Sequence, residues 1–217
     1  LWATYFGGAG YDDGDALVVH DAGYVVVGGA TESTQAMATT GAHQTSLGGD
    51  RDGYIAKFTA SGARIWSTYY GGSAVDDITG LDIGSDESVA FCGKTTSPNN
   101  IALPNADQYG LSGPSDGFAG RLTLNGGRIW ASYVGGTSSD DVNDITFMGS
   151  LSVGVVGRTN SANRLSKSNG GGNDVTYNGA GDAFVARYSP TGVKTWATYC
   201  GGGSSDTAAA IAASLIA

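Results

Sequence analysis

Four patterns in this chain have the residue types and spacing to do chemistry. Gly7-Gly8-Ala9-Gly10-Tyr11-Asp12 reads GGxGxD, a spacing that holds calcium between stacked turns when it recurs about every nine residues. Gly113-Pro114-Ser115-Asp116-Gly117 reads GxSxG, which raises a serine nucleophile on a strand-to-helix turn beneath a histidine. Gly93-Lys94-Thr95 matches the end of a phosphate loop, where backbone N–H groups and a lysine grip phosphate oxygens. The adjacent carboxylates Asp12/Asp13, Asp76/Asp77 and Asp140/Asp141 have the chemistry for general acid–base work. Whether any of these acts depends on the elements that position it.

Those elements repeat. WATYFGG at Trp2 returns as WSTYYGG at Trp66, WASYVGG at Trp130 and WATYCGG at Trp196, at spacings of 64, 64 and 66. Ten residues after each Trp stands an Asp: Asp12, Asp76, Asp140 and Asp206. DGYIAKF at Asp52 is matched by DGFAGRL at Asp116 and DAFVARY at Asp182, each 14 residues before the next Trp. Within the first unit, ALVVH (16–20), YVVVGG (24–29), YIAKFT (54–59) and RIWSTYY (64–70) read as strands, being short, β-branched or aromatic, and bounded by turn residues. A connection of about 20 residues, rich in Ser, Thr, Asn and Gly, joins the second strand to the third and varies most between units. Four strands per unit of about 64 residues, with no helical period, is the arithmetic of a β-propeller blade. A parallel β-helix is the competing architecture, but its coils are shorter and lack paired hairpin turns.

Against this frame the short motifs lose their chemistry. The copies of the first pattern are GGSAVD, GGTSSD and GGGSSD, so what recurs is Gly-Gly, three variable residues and Asp, between the last strand of one unit and the first of the next. The glycines are expected to permit positive φ for a tight reversal, and the Asp to accept backbone N–H bonds. A cation in these acidic turns stays open as an alternative. Ser115 has Arg51 and Gly181 as its counterparts, and Lys94 has Ala30 and Arg158, so neither marks a built catalytic or nucleotide site. His20 and His43 each occur in one unit only. Lys57, Arg121 and Arg187 share one repeat position, and Arg64, Arg128 and Lys194 another. They read as ion pairs or as stems packed on aromatics with heads in water, the alternative being a basic ring for an anionic glycan. The repeated Trp and Tyr, three residues apart, face opposite sides of a strand and read as packing between units. Tyr109 and Tyr177, in the long loops, are the candidate ligand-binding residues.

Composition narrows the function further. Gly supplies 37 of 217 residues, and of the 20 acidic residues 18 are Asp and two Glu, a ratio that favours turns over helices. A net charge of −9 argues against nucleic acid. No run of 18 apolar residues is present, so membrane insertion by a helix is not expected. The sequence begins without a signal-peptide pattern. Cys92 and Cys200 belong to no CxxC pair; two separate buried thiols are expected, with a disulfide between them as the alternative.

W-[AS]-[TS]-Y-x-G-G-x-x-x-D, followed by G-x-T-x-S (29–33, 93–97, 157–161) and D-[GA]-[FY]-x-[AG]-[KR], resembles the bacterial β-propeller repeat family sometimes called seven-bladed bacterial propeller repeats. ATTGAHQTSLGGDRDGYIAKF at 38–58 follows the family's loop-then-strand wording closely. The resemblance implies a propeller in exported or surface-displayed bacterial proteins, and it implies no catalytic residues, cofactor or agreed ligand. The loop NRLSKSNGGGNDVTYNGAG departs from the family's wording.

The expectations are therefore an all-β fold of four-stranded antiparallel blades: 1–7 as the last strand of a preceding blade, blades at 15–70, 78–134 and 142–200, and 207–217 as the first strand of a following blade. Since an open strand edge invites pairing, the chain is expected to be part of a longer propeller or to complete its sheet with a partner. The function expected is a non-enzymatic, exported or cell-surface scaffold for adhesion or assembly through its long loops. The alternative is a carbohydrate-binding propeller, lectin-like or accessory to a polysaccharide-degrading enzyme. No catalytic residue, cofactor or metal ligand is assigned.

Overall fold

A computed structural model describes residues 2–165 and 174–213. Twelve strands form among them, and the helical content is a single 3-10 turn at Gly149–Leu151. The first sheet orders β1 (Ala16–Val19), β2 (Val25–Thr31), β3 (Asp52–Phe58) and β4 (Arg64–Tyr70) side by side. The second repeats this with β5 (Asp76–Ile83), β6 (Val89–Thr95), β7 (Asp116–Leu122) and β8 (Arg128–Val134). The third does so with β9 (Asp140–Met148), β10 (Ser152–Thr159), β11 (Asp182–Tyr188) and β12 (Lys194–Cys200). All pairings are antiparallel, so the chain is all-β with almost no helix.

Register ties the repeated motifs to one rung. Thr31 stands opposite Asp52, Thr95 opposite Asp116 and Thr159 opposite Asp182. The third and fourth strands of each sheet shift register after Lys57, Arg121 or Arg187. This bulge leaves Ile65 and Ile129 outside the pairing and exposed at the sheet edge.

Successive sheets stack face to face, β5 covering β1, β2 and β3, and β9 covering β5, β6 and β7. Strand alternation divides each sheet between two cores. In the second sheet, Phe91, Phe118, Leu122 and Tyr133 face the first sheet, while Ala90, Cys92, Ala119 and Trp130 face the third. At the first seam large residues meet, Tyr70 lying 4.5 Å from Phe91, while at the second the small Ala90, Cys92 and Ala119 share the core with Phe184 and Tyr188. Trp66 and Tyr69 accordingly fall in different cores, as do Trp130 and Tyr133.

Residues 2–10 and 207–213 pair into no strand ladder, yet both keep the places the repeat gives them. Trp2 Nε1 donates to the Ala60 carbonyl at 2.8 Å, as Trp66 Nε1 donates to Leu124 at 2.9 Å. Asn143 Nδ2 donates to the Ala208 carbonyl at 2.8 Å, as Thr79 Oγ1 donates to the Val142 carbonyl at 2.7 Å. Leu1 and 214–217 of the expected terminal strands lie outside the described residues, as do 166–173 of the third long loop.

Candidate functional site

The chemistry-bearing residues gather where one sheet passes to the next. The Gly72 N–H donates to Asp76 Oδ2 at 2.7 Å, and Ser97 Oγ donates to the same oxygen at 2.7 Å. At Asp140 the Gly136 N–H and Ser161 Oγ do the same at 2.7 and 2.8 Å, while Thr159 Oγ1 and the Asn160 N–H serve Oδ1. Asp12 is held by the Gly8 N–H, Thr31 and Ser33, and Asp206 by the Gly202 N–H. The G-x-T-x-S motif is thus the hydroxyl pair that anchors the junction Asp. Tyr69, Tyr133 and Tyr199 complete it by donating to the carbonyls of Ser33, Ser97 and Ser161 at 2.6, 2.8 and 2.9 Å.

The reason expected for the double glycine needs correction. Gly7, Gly8, Gly71, Gly72, Gly135 and Gly136 are not among the positive-φ residues, so no left-handed reversal occurs there. What the junction requires is absence of a side chain. A Cβ on Gly72 would collide with the Asn99 carbonyl and the Ser97 side chain, and one on Gly71 would meet Asp52 Oδ1 and Asp76 Oδ2, both at 2.7 Å.

The third-strand carboxylates are held by the long loops. Gln44 Nε2 donates to Asp52 Oδ2 at 2.6 Å and its Oε1 accepts the Gly71 N–H at 3.0 Å. Gln108 bridges Asp116 and Gly135 the same way, at 2.7 and 3.2 Å. In the third sheet Asp174 takes the Gln position, its N–H on Thr198 Oγ1 at 3.0 Å as the Gln44 N–H is on Thr68 Oγ1 at 2.9 Å. The sequence reading missed these glutamines. Their signal was a Gln eight residues before the Asp in two units, hidden in the connection treated as variable. Burial pushes the carboxyl groups of Asp76 and Asp116 up to about 6, against the pull of their hydrogen bonds.

The two basic sets are structural supports. Arg64 Nη1 donates to the Ala36 carbonyl at 2.8 Å, Arg128 Nη1 to Asn100 at 3.1 Å and Lys194 Nζ to Arg164 at 2.8 Å. Ala36, Asn100 and Arg164 all have positive φ, 69°, 64° and 68°, so each cation clamps the same left-handed bend at a loop's start. In the other set Lys57 and Arg121 form the expected ion pairs but with heads buried rather than in water, and Arg187 is half-buried with Nη2 donating to Ser152 Oγ at 3.3 Å. Lys57 is buried beneath Tyr24 at 4.3 Å, with Glu87 at 3.9 Å; Arg121 is buried against Asp86 and Ser88. Each shares the strand face of Ile55 or Ala119, which alternation turns toward the next sheet.

Of the candidate ligand residues, Tyr109 is 61% exposed in the loop that follows β6. Tyr177 is half-buried and meets Tyr199 edge-on at 6.2 Å, joining the core at the position Leu47 and Leu111 take in the other loops. The two tyrosines therefore do not form one surface. Ser115 ends a loop, and its carbonyl accepts the Asp140 N–H at 3.0 Å as β7 begins. Lys94 lies on β6, with Asp141 at 3.7 Å. Arg51 bridges Asp13 and Asp77 at 3.2 and 2.8 Å, so the second carboxylate of each pair serves contacts between units. The His43 ring lies tilted 5.5 Å from Tyr70, where burial and then Arg128 lower its pKa to about 4. Both cysteines are free thiols, but only Cys92 is buried; Cys200, expected to be buried, ends β12 and is exposed. No helix among the described residues is long and apolar enough to cross a membrane.

Comparison with models of known protein families and with curated protein sequences gives no match.

Proposed function

We propose that each four-stranded sheet is a blade of a β-propeller of the bacterial repeat type, and that the chain is a non-enzymatic scaffold of an exported or cell-surface protein. It mediates adhesion or assembly through the loops at 31–52, 95–116 and 159–182, and its leading face receives a further blade or a protein partner. The observation that carries this reading is the contrast between frame and loop. The frame recurs at each junction, where the second glycine's N–H holds the Asp, and the loops are fixed at the same points by Met37, Ile101 and Leu165, all buried. Beyond these anchors and the positions of Gln44/Gln108 and Leu47/Leu111, their sequences diverge. Binding loops on a rigid scaffold have this division of labour. The chemistry-bearing residues are committed to the frame, which supports a role without catalysis, and the acidic composition supports partners other than nucleic acid.

A second reading, a carbohydrate-binding propeller, is favoured by the exposed ring of Tyr109, since an exposed aromatic face is an apolar platform for a sugar ring. The test is a glycan array probed with the chain and with Tyr109→Ala. The scaffold reading expects no saccharide whose capture depends on Tyr109. Saccharide binding that disappears in Tyr109→Ala, with melting unchanged, overturns it in favour of the second reading.

A further inference from the structure

Two carboxylates meet at every passage between sheets, and they come from different strands. A Cβ built on Gly71 would stand 2.7 Å from both Asp52 Oδ1 and Asp76 Oδ2; on Gly135, 2.7 Å from Asp116 Oδ1 and 2.8 Å from Asp140 Oδ2; on Gly201, 2.9 Å from Asp182 Oδ1 and 3.0 Å from Asp206 Oδ2. Asp52, Asp76, Asp116, Asp140 and Asp182 are fully buried. Among the described residues no Lys, Arg or His forms an ion pair with any of them. Two anions this close in a dry seam repel unless a positive charge joins them.

The hydrogen bonds indicate what that charge is. Both oxygens of Asp140 are taken up by N–H and O–H donors, an arrangement that holds an anion and leaves little lone-pair density for a metal. Of the partner carboxylates, Asp52 and Asp182 are served on one side, while Asp116 also accepts the Gly113 N–H on Oδ1 at 3.3 Å. Asp52 Oδ2 accepts from Gln44 and Gly48, and Asp182 Oδ2 from Asn178, whereas Oδ1 of each is buried with no hydrogen-bond partner. An unpartnered oxygen turned to a second carboxylate is the place for a proton.

We propose that the Asp52–Asp76 and Asp116–Asp140 seams are proton-linked latches, in which each carboxylate pair holds one proton, so that the stacking of sheets tightens on mild acidification and loosens as pH rises through neutrality. This stands whether or not the sheets are propeller blades. The other ionisable groups facing the first pair are Tyr69, Tyr70 and Tyr133, all raised by burial and therefore neutral in this range. Arg51 is turned to Asp13 and Asp77. Tyr133 and Tyr199 face the second pair, and Lys94 beside it is on Asp141. Burial raises Asp52, Asp76, Asp116 and Asp140 alike. For a carboxyl whose folded value lies above its unfolded one, the folded state binds the extra proton. Its stabilising contribution is complete below about 4 and fades as pH climbs through about 6.

The test is urea denaturation of the chain from pH 5 to pH 8, beside Asp52→Asn, whose amide keeps one acceptor for Gln44 and Gly48 and turns its N–H toward Asp76. The wild-type midpoint is expected to fall as pH rises from 5.5 to 7.5. Asp52→Asn is expected to raise the midpoint at pH 7.5 and flatten the profile, and a His43→Gln control, which removes the opposing rise a depressed histidine contributes between about 4 and 6.5, to leave the fall in place and steepen it. A wild-type midpoint that is level or rises with pH overturns the proposal. Should Asp52→Asn not fold, the carboxyl-carbon resonances of the wild-type aspartates decide: a seam pair titrating near 6 supports the latch, and all aspartates titrating near 4 overturn it.

Discussion

Gly126 sits at the turn between β7 and β8 with φ of +81°, and the Trp66 indole of the preceding sheet lies 3.1 Å from where its side chain would begin. Gly62 and Gly192 meet Trp2 and Trp130 in the same way, at φ of +84° and +82°. Gly126→Ala therefore carries both backbone strain and a clash, and is expected to cost about 1–3 kcal/mol in urea denaturation. Gly149→Ala, with no neighbour within 4 Å, is expected to stay within about 0.5 kcal/mol. The sequence made half of this contact legible. Four tryptophans at fixed intervals announced packing between units, but ASG, NGG and PTG have the composition of local turns and announce nothing more. Their role as seats for an indole some 60 residues away needed the sheets to be stacked. The junction glycines were misread for a related reason: Gly-Gly beside Asp signals a turn locally, and only the fold puts carboxylates against the first glycine and the following loop against the second.

At the scale of the loops, the fixed points are apolar residues scattered among polar ones. Met37, Ile101 and Leu165 stand at the same repeat position and are buried. Ile101→Ala is expected to destabilise by about 2–5 kcal/mol, and to speed hydrogen exchange of the amides of 103–112 more than those of β7 and β8. Equal acceleration throughout would mean that the anchor supports the whole sheet rather than its loop. The strands were legible to within about two residues, because period-two alternation and flanking turn residues report directly on a pleated, buried strand. The anchors were not, because Met, Ile and Leu share no obvious type and one buried apolar residue per loop leaves no periodicity. Gln44 and Gln108 were obscured likewise, and Asp174 breaks their pattern in the third unit.

For the whole molecule, the repeat implied stacked sheets before any coordinate did, and the same position now reads differently by context. Leu81 is 9% exposed and Ile145 2%, each covered by a preceding sheet, while their counterpart Leu17 is 64% exposed. A surface buried in two copies and open in the third has the shape to receive another such sheet, which is how a propeller continues. What repeat arithmetic left open between radial blades and a linear stack is the angle between successive units, a property carried by side-chain size in the seams rather than by spacing. Spin labels at Ser61, Asn125 and Thr191, exposed at the equivalent outer turn of each sheet, read that angle directly. Pulsed dipolar spectroscopy is predicted to give equal distances for 61–125 and 125–191, and a 61–191 distance clearly short of their sum. A 61–191 distance equal to that sum would place the sheets in a straight solenoid and contradict the propeller.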